Sequence, residues 1–235
     1  MNTPDNSLES LEAGLRSEAD IMEVDVGVTM DGVPVLFHNS KVVLEYRGEC
    51  RLADVTFKQL SADKAVDEHS GEHRRIVSLA EILPIVKAGS KRVNLDLKSD
   101  GCIEPVAKMV NEAGMLDQVL LSGAEANRAK LLQQHSPELK KLLNASSKLF
   151  KEADYQSAVK QTCSDALEAC CIGININHIY CRPELIEAAA SVNLPVYVWT
   201  VNQEDDMKRM IELGVYSITT RNVDMLVRVC EGAGA

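Results

Sequence analysis

Three runs in close succession, "KRVNLDLK" (residues 91–98), "IEPVAKMVNEAGM" (103–115) and "QVLLSG" (118–123), read as strand, helix and strand. Two short apolar runs joined by a helical stretch are the pattern of a parallel βαβ unit, since parallel strands need a crossover long enough to hold a helix. The alternation continues toward the C-terminus. "NRAKLLQQHS" is helical and "KKLLNAS" a strand; "YQSAVKQTCSDA" and "ACCIGINI" repeat the pair, as do "RPELIEAAASVNL" with "PVYVWTVN" and "QEDDMKRMIELG" with "YSITT". "NVDMLVRVC" closes the chain as a helix.

Toward the N-terminus, "SLAEILPIVKAG" is a helix leading into the first of these strands. The chain opens on a helix capped by Asn6 or Ser7, with Leu8, Leu11 and Leu15 at helical spacing. A strand around residues 20–28 follows and turns tightly at "MDGV" into "VPVLFH". Residues 40 to about 75 are irregular and polar, ending in the charged "DEHSGEHRR", and read as a surface excursion. Short apolar strands alternating with helices indicate a parallel sheet covered by helices. Seven parallel strands and one hairpin strand can be counted, whereas a (βα)8 barrel has eight. The expected architecture is therefore an α/β fold, a TIM barrel with its first strand missing from this chain. It would form a single domain over 1–235 with a small excursion at about 40–75. A missing strand would leave unpaired edges, through which a second copy could pair.

Composition narrows the function. Hydrophobic residues make up 46% and charged residues 26%, ordinary for a soluble protein. No run approaches the roughly 18 to 20 apolar residues of a membrane span, so no stable membrane insertion is expected. A net charge of −10 argues against nucleic acid as a partner. The seven cysteines lack zinc-type spacing, and Cys170 and Cys171, adjacent on an expected strand, would face opposite ways. Reduced thiols and a cytoplasmic location are the expectation.

Chemistry concentrates in "MEVDVGVTMDGVPVLFHNS", residues 22–40. On a strand Glu23 and Asp25 share one face, while Val24 and Val26 share the other. With Asp96 they form three carboxylates at two strand ends, where barrel enzymes carry their chemistry. Hard oxygen ligands within one cation's reach would suit Mg²⁺ or Ca²⁺. The same carboxylates could instead be solvated or pair with Lys98. Lys98 shares the face of Asp96 and could bind a phosphate oxygen as a point charge, or form an internal salt bridge. His38 follows an apolar strand close to the acidic pair and could serve as general acid or base. His69 and His73 read as part of a solvated stretch. Trp199, the single Trp, would wall a substrate head group or fill the barrel.

These motifs together carry a likeness. "PDNSLESLEAGLRSEADIMEVDVGVTMDGVPVLFHN", "ADVTFKQL", "VSLAEIL", "VNLDLK" and "VYVWTVNQEDDMKRMIELGVYSITT" resemble, in order and spacing, the glycerophosphodiester phosphodiesterase family. The resemblance implies a (βα)8 barrel that uses a divalent cation and two histidines to release an alcohol and glycerol 3-phosphate. It implies a small-molecule glycerophosphodiester as substrate, attacked by its own glycerol hydroxyl to give a cyclic phosphate that water opens. By that likeness Glu23 and Asp25 match two metal ligands, Asp96 stands where the third is usually Glu, His38 matches the second catalytic His, and Lys98 matches the lysine near the phosphate. Asn39 stands where the family usually has Asp, and the family's His-Arg-Gly has no counterpart before Pro4. A non-catalytic barrel binding phosphodiesters or a partner, and a phosphodiesterase for lysophospholipids, are the alternative functions.

Overall fold

The computed structural model describes residues 4–66, 71, 73–89 and 91–233. His69 and part of the charged run at 67–75 lie outside them. The chain resolves into two compact units, one holding residues 4–16 and 20–119, the other residues 17–19 and 120–233.

The first unit begins with helix α1 (Leu8–Arg16). Ser7 starts it, its hydroxyl accepting the Ser10 N–H at 3.0 Å. Asn6 is not the cap: it lies in the left-handed region at φ 57° and turns its side chain elsewhere. Strand β1 (Ile21–Val28) buries Met22, Val24 and Val26 on one face, as its alternation demands. A turn through Gly32, at φ 76°, returns the chain into β2 (Pro34–Leu36), antiparallel to β1 with Val26 opposite Leu36.

The excursion is more ordered than its polar sequence implies. It holds β3 (Lys41–Leu44), β4 (Gly48–Arg51), β5 (Ala65–Val66) and β6 (His73–Arg74) in one antiparallel sheet, ordered β4-β3-β5-β6. Helix α2 (Phe57–Ala62) packs with it, started by a reciprocal cap between Thr56 and Gln59. Phe37, Val42, Leu44, Leu52, Val55, Leu60 and Ile76 belong to the apolar cluster beneath. Strands of two to four residues are too short for a period-two pattern to stand out, which is why the segment reads as irregular. Helix α3 (Leu79–Ala88), β7 (Arg92–Leu97) and α4 (Ile103–Ala113) complete the unit. The last ends at Gly114, whose φ of 62° is the left-handed helix stop. Strand β7 runs parallel to β1, placing Glu23 opposite Asn94 and Asp25 opposite Asp96.

The second unit continues the alternation with β8 (Val119–Ser122), α5 (Ala126–His135), β9 (Leu143–Asn144), α6 (Ser147–Glu152), α7 (Tyr155–Glu168), β10 (Ile174–Asn177), α8 (Pro183–Ser191), β11 (Val196–Trp199), α9 (Glu204–Glu212), β12 (Ser217–Ile218) and α10 (Val223–Ala233). Strands β9 to β12 form a parallel sheet in the order β12-β11-β10-β9, and Leu121 of β8 bridges Lys141 in parallel. Seven strands with parallel partners are thus present among the described residues, β1 and β7 to β12. Cys170 and Cys171 precede β10 rather than lying on it; Cys170, at φ 50°, turns the chain after α7. All seven cysteines are free. No helix among the described residues is long and apolar enough to cross a membrane.

Gly173 shows how closely the second unit's strands approach. Its carbonyl accepts the Leu143 N–H at 3.0 Å, and a Cβ there would sit 2.7 Å from the Pro195 carbonyl oxygen, a backbone atom that cannot step aside alone. Gly173→Ala is expected to lower stability in urea unfolding by about 1–3 kcal/mol, the usual range for overpacking. Gly232→Ala, in α10 with open space around it, is expected to be neutral or stabilising.

Candidate functional site

The register of β1 against β7 builds the site in the first unit. Asp25 and Asp96 face each other across two neighbouring strands, and the Lys98 ammonium lies between them, 2.5 Å from Asp25 Oδ1 and 2.6 Å from Asp96 Oδ1. Burial works against the lysine's charge, but Asp96 and Asp25 outweigh it and hold its pKa above the ordinary value. The internal salt bridge left open by the sequence is therefore present. Asp25 has a further partner. Asn6 Nδ2 donates to Asp25 Oδ2 at 2.8 Å, and the Asp25 backbone N–H donates to Asn6 Oδ1 at 2.8 Å.

Glu23 sits two residues before Asp25 on the same face. It keeps an exposed edge, yet protein atoms crowd it. Burial first, then repulsion from Asp25 and Asp96, push its carboxyl up to about 8 against the pull of Lys98, and Asp5 adds to the rise. One ammonium therefore does not neutralise this group of carboxylates. Among the described residues, no three His, Cys, Asp or Glu side chains already stand as a ready-made ion site. Asp25 and Asp96 meet around the Lys98 ammonium instead.

His38 lies two residues beyond the end of β2. Its position is set by Phe37, whose N–H donates to the Asp25 carbonyl at 3.1 Å. His38 is exposed, with Nδ1 2.9 Å from Asn39 Oδ1. An amide oxygen only accepts, so Nδ1 carries a proton, and the neutral tautomer compatible with this contact has its lone pair on Nε2. In the second unit, Trp199 ends β11 half-buried, its carbonyl 3.3 Å from His178 Nδ1 and its indole N–H buried with no hydrogen-bond partner among the described residues. Asn202 Oδ1 accepts the Arg221 N–H at 3.0 Å, so the "WTVN" segment braces the turn after β12.

Asn6 is the site residue that the sequence pattern hid. Asn6 and Ser7 both qualify as caps for one helix, and the surplus of candidates was the available signal.

A model of the glycerophosphoryl diester phosphodiesterase family matches residues 1–225. A glycerophosphodiester phosphodiesterase of Caldanaerobacter subterraneus subsp. tengcongensis is 25% identical over 242 residues, which span 99% of this chain and 95% of the relative. A crystal structure of a protein described as a putative glycerophosphoryl diester phosphodiesterase from Silicibacter pomeroyi superposes with a TM-score of 0.85 at 21% identity, covering 98% of this chain and 90% of the other. An Oleispira antarctica phosphodiesterase, solved in complex with the product sn-glycerol-3-phosphate, gives a TM-score of 0.77 at 18% identity, covering 97% and 92%. These likenesses show that the fold is of the (βα)8 barrel class.

Two outcomes follow from the charge balance. In chelator, Lys98→Met is expected to destabilise the protein toward the lower end of the roughly 3–5 kcal/mol seen when a buried ion pair loses one partner, since Lys98 is partly exposed. Glu23 binds its proton far more tightly folded than unfolded. Below pH 4.5 both states hold it; between 4.5 and about 8 the unfolded chain alone releases it, so metal-free stability should fall as pH rises through that window. Denaturant titrations across pH would show the decline, and Glu23→Gln should flatten it.

Proposed function

As the chain belongs to the glycerophosphoryl diester phosphodiesterase family, whose members are phosphoric diester hydrolases, we propose that it hydrolyses glycerophosphodiesters to an alcohol and glycerol 3-phosphate. The observation that carries this reading is the crowding of Glu23, Asp25 and Asp96 on the paired parallel strands β1 and β7, with His38 next to Phe37, whose N–H is bonded to Asp25. Their oxygens are hard donors with negative charge in excess of Lys98, a set that fits a divalent cation. Glu23, Asp25 and Asp96 would hold it, as Mg²⁺ or Ca²⁺. When bound, it supplies charge neutralisation at the phosphate and polarisation of a phosphoryl oxygen.

The chain's own groups do the remaining work. His38 Nε2, the lone-pair nitrogen of the neutral tautomer whose Nδ1–H faces Asn39, accepts a proton from the attacking hydroxyl. The resulting imidazolium can return the proton to the leaving alkoxide. Asn6 keeps Asp25 from rotating, so the carboxylate face stays organised before substrate arrives. Lys98 contributes positive charge near the phosphate while bridging Asp25 and Asp96. Trp199, in the second unit, stays a substrate-binding candidate by its residue type, an apolar ring that suits a head group. The same reading takes 1–235 as one catalytic domain in a reducing, cytoplasmic setting. It also takes β12, an edge strand of its sheet, as the place where a second copy would pair.

Glycerol 3-phosphate release from a panel of soluble glycerophosphodiesters tests the assignment. Turnover is expected with Mg²⁺ or Ca²⁺ and lost in chelator. His38→Gln should lower kcat by roughly 10² to 10⁴, the usual contribution of a proton-transfer group. Glu23→Ala should abolish the metal response. Wild-type rates in both variants would overturn the site.

A further inference from the structure

Strand β6 pairs with β5, Arg74 opposite Ala65. Beyond it the chain runs beside β2, where Ser78 bridges Val35 and the Leu36 N–H donates to the Val77 carbonyl at 2.8 Å. That return path brings the Arg74 side chain against Asp5 and Phe37, the chain neighbours of Asn6 and His38. Arg74 Nη1 donates to the Asp5 carbonyl oxygen at 2.7 Å, and the guanidinium carbon lies 5.7 Å from the centroid of the Phe37 ring. Both contacts are one residue removed from site groups. Asp5 precedes Asn6, which holds Asp25 through two hydrogen bonds, and the Asp5 carboxylate contributes to the negative field at Glu23. Phe37 precedes His38 and donates its own N–H to the Asp25 carbonyl.

The two cations of this neighbourhood differ in what their charge already meets. The Lys98 ammonium is committed to two carboxylates. Arg74 meets a neutral carbonyl oxygen and a ring face, and no carboxylate pairs with it among the described residues. A guanidinium offers five N–H donors in a planar fork suited to two oxygens of a phosphate, while Lys offers a point charge. The contact with Phe37 restrains that fork without neutralising it. We propose that Arg74 is a substrate-binding residue, its guanidinium taking the non-bridging oxygens of the phosphodiester at the site formed by Glu23, Asp25, Asp96 and His38. The inference rests on the phosphodiesterase reading and extends it: the excursion is part of the substrate site, and it supplies the anion-binding charge that Lys98 has already committed to the aspartates.

Three substitutions separate charge from bracing. Arg74→Gln keeps an amide donor for the Asp5 carbonyl but no charge, Arg74→Lys keeps charge without the fork, and Arg74→Ala keeps neither. Steady-state kinetics on glycerophosphocholine, inhibition by glycerol 3-phosphate and thermal melting are measured for each. Arg74→Gln is expected to raise KM and the glycerol 3-phosphate inhibition constant by roughly 10- to 100-fold, the worth of a hydrogen bond to a charged group. Its kcat should change less, its melting midpoint should match the wild type, and Arg74→Lys should fall between the two. If Arg74 only braces Asp5, Arg74→Gln will restore whatever Arg74→Ala loses, in step with the melting midpoint, and the proposal is overturned. Wild-type turnover with unchanged KM in Arg74→Gln removes the role of Arg74 alone. A wild-type chain that neither turns over substrate nor binds glycerol 3-phosphate by calorimetry removes the phosphodiesterase reading, and this inference with it.

Discussion

A single ammonium group between two aspartates underlies the arrangement of the first unit. The parallel register of β1 and β7 sets Asp25 directly opposite Asp96, and like charges so placed on neighbouring strands repel. Lys98 turns that repulsion into a shared pair of short contacts. Around it the other parts attach to Asp25 in turn: Asn6 through its amide on the N-terminal side, and Phe37 through its N–H from the returning hairpin. Helix α1, strand β7 and hairpin strand β2 therefore converge on one residue. The apolar faces of β1 and β7, with Val24, Val26, Val93, Leu95 and Leu97 all nearly inaccessible, supply the rigidity that keeps the charged face in place.

The charge pattern also accounts for what such a site can do. A protein of net charge −10 that binds an anionic diester must oppose its own field locally. Three carboxyl groups share the one ammonium of Lys98, and repulsion from Asp25 and Asp96 adds to burial in raising the Glu23 carboxyl. Excess negative charge of this kind is unfavourable for folding alone and favourable for holding a dication, a division of interests common where local strain serves function.

Much of this was legible in the sequence, and the reasons for the remainder are physical. The βα alternation from residue 79 onward could be followed because most of its strands sit in apolar runs and most of its helices are long enough to show their period, as β8 and α4 do. Glu23, Asp25, Asp96 and Lys98 were recognisable because residues two apart on a strand share a face whatever the tertiary structure. The excursion was harder, since strands of two residues such as β5 and β6 owe their existence to partners distant in sequence. Helix α6, six residues long, was missed for a similar reason. Asn6 could be read only as one of two candidate caps, because an Asn beside a Ser at a helix start has a local explanation ready, and its actual partner lies 19 residues away. Arg74 had no local signal at all: its place depends on a return path through two antiparallel pairings.

The hairpin between β1 and β2 carries a consequence for how this chain can vary in length. His38 reaches its position by counting residues along an antiparallel ladder from the Gly32 turn, with Val28 opposite Pro34 and Val26 opposite Leu36. A strand alternates faces at every residue, so one amino acid inserted within β2 would turn the imidazole to the opposite side. Between Lys41 and Val66 the excursion is tied to the hairpin turn at separate points, the Met30 N–H on the Val55 carbonyl and the Phe57 N–H on Asp31 Oδ1, and residues added in the loops between such points turn no strand face. Length changes should therefore accumulate in one segment and be purged from the other. Two stretches a few residues apart are thus held to very different standards of inheritance.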